Sequence, residues 1–480
     1  MRSHSRTGVA LLLVLSLARI AGAQTKLTPY QQLGRDLLRE LVETNTTFLH
    51  GNTTRAAEQL AARFRAAGFP AGDVQIVGPD TGRDAKDRNL IVRYRGRGQR
   101  RPVLLIGHLD VVEARREDWV RDPFTLVEED GHFYGRGTFD IKNGVAAWVA
   151  ALLRMKLEGV VPDGDLVLAL TAGEEMGGGY NGIQWLLANR RDLVDAAYAL
   201  NPDMGSGELR DGRPFVMDVS AAEKVFQTYH LTVRNPGGHS SLPVKDNAIY
   251  RLASALTRLG AYEFPLQTNA VTRAYFARMG ALDTSALAAA MRAVGATETP
   301  DGTAAARLSA HSAWYSALLR TTCVATMVEA GHAVNALPQR AMATVNCRIL
   351  PGVDPAEIER TLHTVLADSA VVLTRADTAH PSPPSVLTEP VERAIRTAMQ
   401  GIWGALPIIP TMETAASDGL YLRNAGIPVY GVTGYFVDLN VSADVRAHGL
   451  DERISVKGFY EQLEFTYRLL RALDDTRAAL

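Results

Sequence analysis

VLLIGHLDVV (103–112) runs from four apolar residues into a histidine and an aspartate. Residues 103–106 read as a strand buried on both faces. His108 and Asp110 stand where it ends, two residues apart, so on an extended segment they point the same way. Such a pair is either a metal ligand with the group that orients it or a satisfied surface pair. The stretch alone leaves both open. Outward from it, 89–92 and 165–170 are further short apolar runs, and 144–157 reads as a helix. Strand, helix and strand, with the strands buried, make an α/β sheet.

At 480 residues the chain is too long for one ordinary core, and two domains are expected. Hydrophobic content of 46% and charged content of 21% are those of a globular protein. The net charge is −1, and no dense Lys/Arg tract offers a footprint for nucleic acid.

The start, MRSHSRTGVALLLVLSLARIAGAQ (1–24), has Arg2 and Arg6, an apolar stretch from Val9 to Ala18, and Ala21-Gly22-Ala23. This is the three-part pattern of a secretory signal cleaved after Ala23, so a secreted or periplasmic protein is expected. A membrane anchor is the alternative; the short stretch and Arg19 oppose it. No later segment is long and apolar enough to be transmembrane, so no membrane association is expected after cleavage. Cys323 and Cys347 are too few for a disulfide framework or a cysteine zinc site. They flank Asn335 symmetrically, so a hairpin centred there sets them opposite each other. A disulfide and two buried thiols both fit.

Residues 31–68 read as helix, through Leu33, Leu37, Leu38, Leu41 and Val42 and then Leu60, Phe64 and Ala67. The pattern changes near Glu223, where KVFQTYHLTVRN (224–235) alternates like an amphipathic strand whose outer edge is open to pairing across a dimer axis. A helix at 247–259, a helical insertion at 283–318 long enough to cover that edge instead, strands at 321–329 and 341–349, a helix at 355–366 and a strand at 369–374 follow. Without the insertion this is β-α-β-β-α-β, the ferredoxin-like order. DTAHPSPPS (377–385) links back to α/β material with helices at 388–402 and 456–473. The expected organisation is a signal at 1–23, a catalytic domain in two parts, 24–222 and 381–480, and an inserted α+β domain at 223–380.

Four stretches join GHLDVV. YGRGTFDIKNG (134–144) sets Asp140 before a helix between glycines, where helix-start N–H groups hold a carboxylate; a plain helix cap is the alternative. TAGEEMGGG (171–179) ends a strand on Glu174 and Glu175. They are solvated loop acids, or one ligand and one proton carrier. ALNPDMG (199–205) puts Asp203 in a turn, where aspartate is common anyway. RAHGLDERI (446–454) puts His448 in a loop before the last helix. Open α/β sheets gather ligands at the carboxyl ends of strands. Two histidines and three carboxylates suit two divalent ions sharing one bridging carboxylate.

HLDVV, GRGTFDIKNG, TAGEE, NPGGHSSLP, the run from Asn335 to Arg348 and AHGLDE, in this order, resemble the M20 metallopeptidases. That family includes carboxypeptidases, dipeptidases, aminoacylases and related amidohydrolases. The wording around GHLDVV and YGRGTFDIKNG is most similar to the carboxypeptidase S-like branch, which also holds N-acyl-amino-acid hydrolases. The resemblance implies a dinuclear-metal catalytic domain, with a mixed sheet flanked by helices, and an inserted ferredoxin-like lid or dimerisation domain. It implies His108 and Asp203 on one metal, Glu175 and His448 on the other, and Asp140 bridging. Asp110 would orient His108, and Glu174 would be the general base and acid. The metal would be zinc, with cobalt or manganese able to substitute. His239, in Gly237-Gly238-His239, would stabilise the oxyanion, often in the partner subunit's site. Asn335 and Arg348 would bind a substrate carboxylate or polar end. Three positions depart from the pattern or vary within it. Asn346 stands where many relatives have an aspartate that orients the arginine. Ile141 stands where many have a second aspartate, at a peptide bond that relatives hold cis. Asp203 stands where some branches carry glutamate.

The expected function is therefore a secreted zinc-dependent exopeptidase of carboxypeptidase or dipeptidase type, acting on small peptides and able to form a homodimer. An N-acyl-amino-acid amidohydrolase is the alternative within enzymes. A non-catalytic binding protein on the same fold is the alternative of another class, opposed by the retention of all five ligand candidates and Glu174.

Overall fold

A computed structural model describes residues 26–80, 83–175, 179–438 and 446–474. The signal-like start lies outside the described residues. The run that opened the reading becomes the strand Arg100–His108, near the middle of a ten-stranded mixed sheet. Gly164–Thr171 and Tyr198–Asn201 pair with it in parallel, one on each side. Its apolar residues serve two cores. Leu105 packs on one face with the helices Pro29–Glu43, Lys142–Leu157, Glu389–Gln400 and Val456–Ala472. Leu104 and Ile106 pack on the other with Gly182–Asn189 and Gly419–Asn424. Both faces are covered, which is why the strand reads as a continuous apolar run rather than an alternating one.

Residues 31–68 form two helices, Pro29–Glu43 and Thr53–Ala66, rather than one. Between them Asn52 caps the second by accepting from Arg55 N–H. The sheet continues through Val429–Gly431 to Arg213–Glu223, which takes Ile408–Glu413 as a parallel neighbour.

At Glu223 the chain leaves for a second, four-stranded antiparallel sheet. Its order is Thr322–Ala330, Arg340–Ile349, Val225–Arg234, Val371–Arg375. The helices Ala248–Ala261 and Pro355–Leu366 share one core with it. This is the ferredoxin-like strand order.

Two expectations are corrected. The strand at 224–235 is internal, paired on both sides, and offers no outer edge; Thr322–Ala330 is an edge. The helical insertion begins at Ala270, not 283, and does not cover the four-stranded sheet. Val271, Tyr275, Phe276 and Met279 form an apolar stripe that packs on Val216, Ala222, Ile409 and Met412 of the large sheet.

Cys323 and Cys347 stand directly opposite each other on neighbouring strands and form a disulfide. Among the described residues, no helix is long and apolar enough to cross a membrane.

Candidate active site

Three neighbouring parallel strands end side by side, and each delivers part of one cluster. Arg100–His108 ends on His108 itself. Gly164–Thr171 runs into Gly173, Glu174 and Glu175, and Tyr198–Asn201 leads to Asp203. Gly173 holds φ +89°, and a Cβ there would lie 2.1 Å from the Tyr180 carbonyl oxygen, so this turn requires glycine. Asp140 comes from the turn before the helix Lys142–Leu157, across a cis Asp140–Ile141 peptide bond. His448 comes from the loop before the last helix.

The ligand-type atoms of this cluster fall into three overlapping groups: His108, Asp140 and Asp203; Asp140, Glu175 and His448; and His108, Glu174 and Glu175, the first two sharing Asp140. Asp140 Oδ1 lies 3.2 Å from His108 Nε2, and its Oδ2 lies 3.0 Å from His448 Nε2. His448 Nε2 is 2.8 Å from Glu175 Oε1, and His108 Nε2 is 3.9 Å from Asp203 Oδ1. One carboxylate thus turns an oxygen to each histidine, as a bridging ligand must. The donor set fits two divalent cations: imidazole and carboxylate in each triad, with no thiolate.

The electrostatics agree. Burial alone would lower His108, but the neighbouring carboxylates of Asp140, which accepts from it, and Asp203 outweigh burial and raise it well above the usual range. Asp140 and Glu175 raise His448 to about 10. Burial raises Asp203 to about 6. It also raises Glu174 well above the usual carboxylate range, helped by Asp203, Asp418 and Glu175. The site holds more buried acid than its own side chains neutralise, and positive charge is what it lacks.

Asp110 works differently from the expectation. The backbone carbonyl of Asp110, not its side chain, meets His108 Nδ1 at 2.9 Å. The chain leaves the strand at His108, so the Asp110 carboxylate turns to the neighbouring loop. There it accepts from the N–H groups of Gly173, Glu174 and Glu175 at 2.9, 3.4 and 2.9 Å. It positions both glutamates.

Arg348 is half-buried; burial lowers it, and the Glu174 charge opposes that lowering. Its Nε donates to Asn346 Oδ1 at 3.1 Å, so the asparagine holds the arginine at the place where an aspartate was missed. His239 and Asn335 lie elsewhere, on two loops joined by the short ladder Gly238–His239 with Ala336–Leu337. Both are exposed, and among the described residues His239 Nδ1 meets only Ser241.

Two acids escaped the sequence reading. Glu452, fully buried, accepts from the N–H groups of Phe139 and Asp140 at 2.8 and 3.0 Å and pairs with Arg136 at 2.6 Å. Arg136 donates to the His448 carbonyl, which joins the two loops that carry Asp140 and His448. Asp418 accepts from Thr171 Oγ1 and Asn181 Nδ2 at 2.8 and 2.6 Å, behind Glu174. Glu452 stood in the quoted AHGLDE motif, four residues after a ligand candidate, and that spacing was its one signal. Asp418 had none.

The model of peptidase family M20/M25/M40 matches residues 104–472. The human N-fatty-acyl-amino acid synthase/hydrolase PM20D1 is 28% identical over 382 residues, covering 78% of this chain and 74% of that protein. The probable carboxypeptidase S-like 2 of Dictyostelium discoideum is 25% identical over 401 residues, covering 80% and 74%. Among solved structures, the M20 family metallo-carboxypeptidase Sso-CP2 from Sulfolobus solfataricus superposes with a TM-score of 0.69. It is 19% identical and is covered to 99%, against 92% of this chain.

Proposed function

The chain belongs to peptidase family M20/M25/M40 and is a hydrolase, and on that premise we propose that it cleaves amide bonds whose amine half is an amino acid with a free carboxylate. The observation that carries this is Arg348: a half-buried guanidinium held by Asn346 against the Phe226 ring, without an ion pair among the described residues, on which the Glu174 charge acts. A guanidinium so placed holds a carboxylate beside the scissile bond.

In this reading His108 and Asp203 hold one divalent ion, Glu175 and His448 the other, and Asp140 both, with zinc the leading candidate. Bound there, the ions supply Lewis acidity to water and to the scissile carbonyl. Glu174 takes the proton of the attacking water and returns it to the leaving nitrogen. Burial, which raises its proton affinity, suits a group that must hold that proton between the two steps. Asp110, Glu452 and Asp418 keep the loops of Glu174, Glu175 and Asp140 in place. His239 and Asn335 serve the site of a partner subunit in a homodimer. The chain divides at residues 223 and 380 into a two-part catalytic body and a lid, and it is exported after cleavage behind Ala23.

On the acyl side, N-acyl amino acids come first, favoured by the name of the human relative. Peptides, as for a carboxypeptidase, are the second reading, favoured by the D. discoideum relative and by Sso-CP2. A paired panel of N-acyl amino acids and unblocked dipeptides decides between them, run on the protein before and after chelation. Activity should vanish in chelator and return with zinc or cobalt. Undiminished turnover after complete metal removal would refute the two-metal reading, and faster turnover of dipeptides would reverse the order of substrates.

A further inference from the structure

Where the chain passes from the large sheet to the small one, it buries two opposite charges in succession. Glu223 ends the strand Arg213–Glu223, and Lys224 precedes Val225–Arg234; both are buried. They do not pair with each other. Glu223 faces Arg423 at 2.7 Å and accepts from Ser417 N–H and Oγ at 2.8 Å each. Lys224 turns the other way. Its Nζ donates to the Arg320 carbonyl at 2.8 Å and meets Thr322 Oγ1 at 3.4 Å. Among the described residues it makes no ion pair, and the charged group that acts on it is Arg348.

Arg348 is framed by the neighbours of Lys224. In the small sheet, Thr322 stands opposite it on one side and Phe226 on the other. The guanidinium lies 4.7 Å from the Phe226 ring centre. Lys224 and Arg348 thus share Thr322 as a neighbour, neither makes an ion pair among the described residues, and the acid whose charge acts on Arg348 is Glu174, which proton transfer needs free. Like charges in a half-buried place repel, and an incoming anion relieves both.

We infer that Lys224 is a specificity-determining residue of the carboxylate subsite, acting through Arg348 and Thr322 rather than by touching substrate, so that the site selects an ionised carboxylate over a neutral end. The inference rests on the proposed reading of Arg348. Burial and the Arg348 charge push the lysine amine down to about 7, which is the cost that a bound anion offsets.

The test compares one N-acyl amino acid with its C-terminal amide, on zinc-loaded protein. The readout is the ratio of kcat/KM for acid over amide. Lys224→Met should lower this ratio about tenfold, with zinc content and amide turnover kept. Lys224→Gln, which keeps a donor for the Arg320 carbonyl and loses the charge, should do the same; it also serves if the methionine variant does not fold. Lys224→Arg should keep the wild-type ratio. If both neutral variants lose acid and amide turnover equally, Lys224 is a strut between strands and the inference is overturned. If the wild type already treats acid and amide alike, the carboxylate subsite itself falls, and the inference with it.

Discussion

Glu174 and Glu175 are adjacent, yet the structure sets them apart. Glu175 meets His448, which also meets Asp140, while Glu174 is buried, feels the charges of His108, Asp203 and Asp418, and acts by its own charge on Arg348. Their mutants should therefore differ in kind. Glu174→Gln should retain both metals and lose turnover by roughly 10²–10⁴-fold, the usual contribution of an acid–base group. Glu175→Gln should lose a metal, and with it turnover. Zinc analysis beside kcat decides this; a Glu174→Gln protein stripped of metal, with Glu175→Gln fully loaded, would reverse the two roles. At this scale the sequence discloses groups that act through their own side chains at strand ends, because strand ends are visible as the close of an apolar run. It conceals groups that act on backbone. Asp110 reads as the partner of His108 because the two are near in sequence. Its carboxylate instead serves three N–H groups more than sixty residues away, on a loop that only the parallel pairing of the two strands brings close.

Strand arithmetic separates the two groups of substrate-binding candidates. Arg348 pairs with Phe226, and Arg340 with Arg234, at the other end of the same ladder. Eight residues of extended chain span roughly 26 Å. His239 and Asn335 lie beyond that far end, on the loops that follow Arg234 and precede Arg340. The Glu174 charge acts on Arg348 within one chain, which puts the Arg348 end of the ladder, and not the end that leads to His239, on the side of that glutamate. If His239 takes part in catalysis, it does so in another subunit's site. His239→Ala and Glu174→Gln proteins, each inactive alone, should then regain part of the activity when subunits exchange, since one mixed site holds both groups. Loss of one oxyanion donor costs about 10²–10³-fold, and zinc content should not change in the histidine variant. No recovery despite demonstrated exchange, or a monomer by light scattering, would exclude the trans arrangement. The ladder itself was legible, since 224–235 and 341–349 alternate at a period of two. Its neighbours were not. Alternation marks a strand as having one buried face but says nothing about whether its edges are paired, and 224–235 proved internal. For the same reason the helices from Ala288 to Leu319 read as helices, the one at Ala270–Leu282 was not read, and the sheet they cover was a tertiary choice.

Those helices close over a buried polar spot whose consequences belong to the whole molecule. Glu208 and Asp218 lie on neighbouring antiparallel strands of the large sheet, beneath Tyr275 and Tyr315 of the helical segment. Burial raises Glu208 to about 7, against the hydrogen bond with Asp218 that lowers it, and raises Asp218 well above its usual range, where the Glu208 charge raises it further. Between the unfolded value near 4.5 and the folded value, the native protein keeps a proton that the unfolded chain has released. Stability from this pair is therefore fully present below the unfolded pKa and is lost as pH rises toward 7. Glu208→Gln supplies a permanent donor to Asp218 and needs no proton, so it should escape much of that loss. Wild type and variant, unfolded thermally at fixed zinc from pH 5 to pH 8, should diverge, with the variant gaining on the order of 1–3 kcal/mol relative to wild type across the interval. Catalysis should be unaffected at a pH where both are folded, because the pair sits under the helical segment and not among the metal-binding candidates. Curves that keep a constant gap, or a variant that loses ground as pH rises, would mean that both carboxyls are already neutral or otherwise compensated. The docking of the helices on the large sheet would then carry no proton linkage.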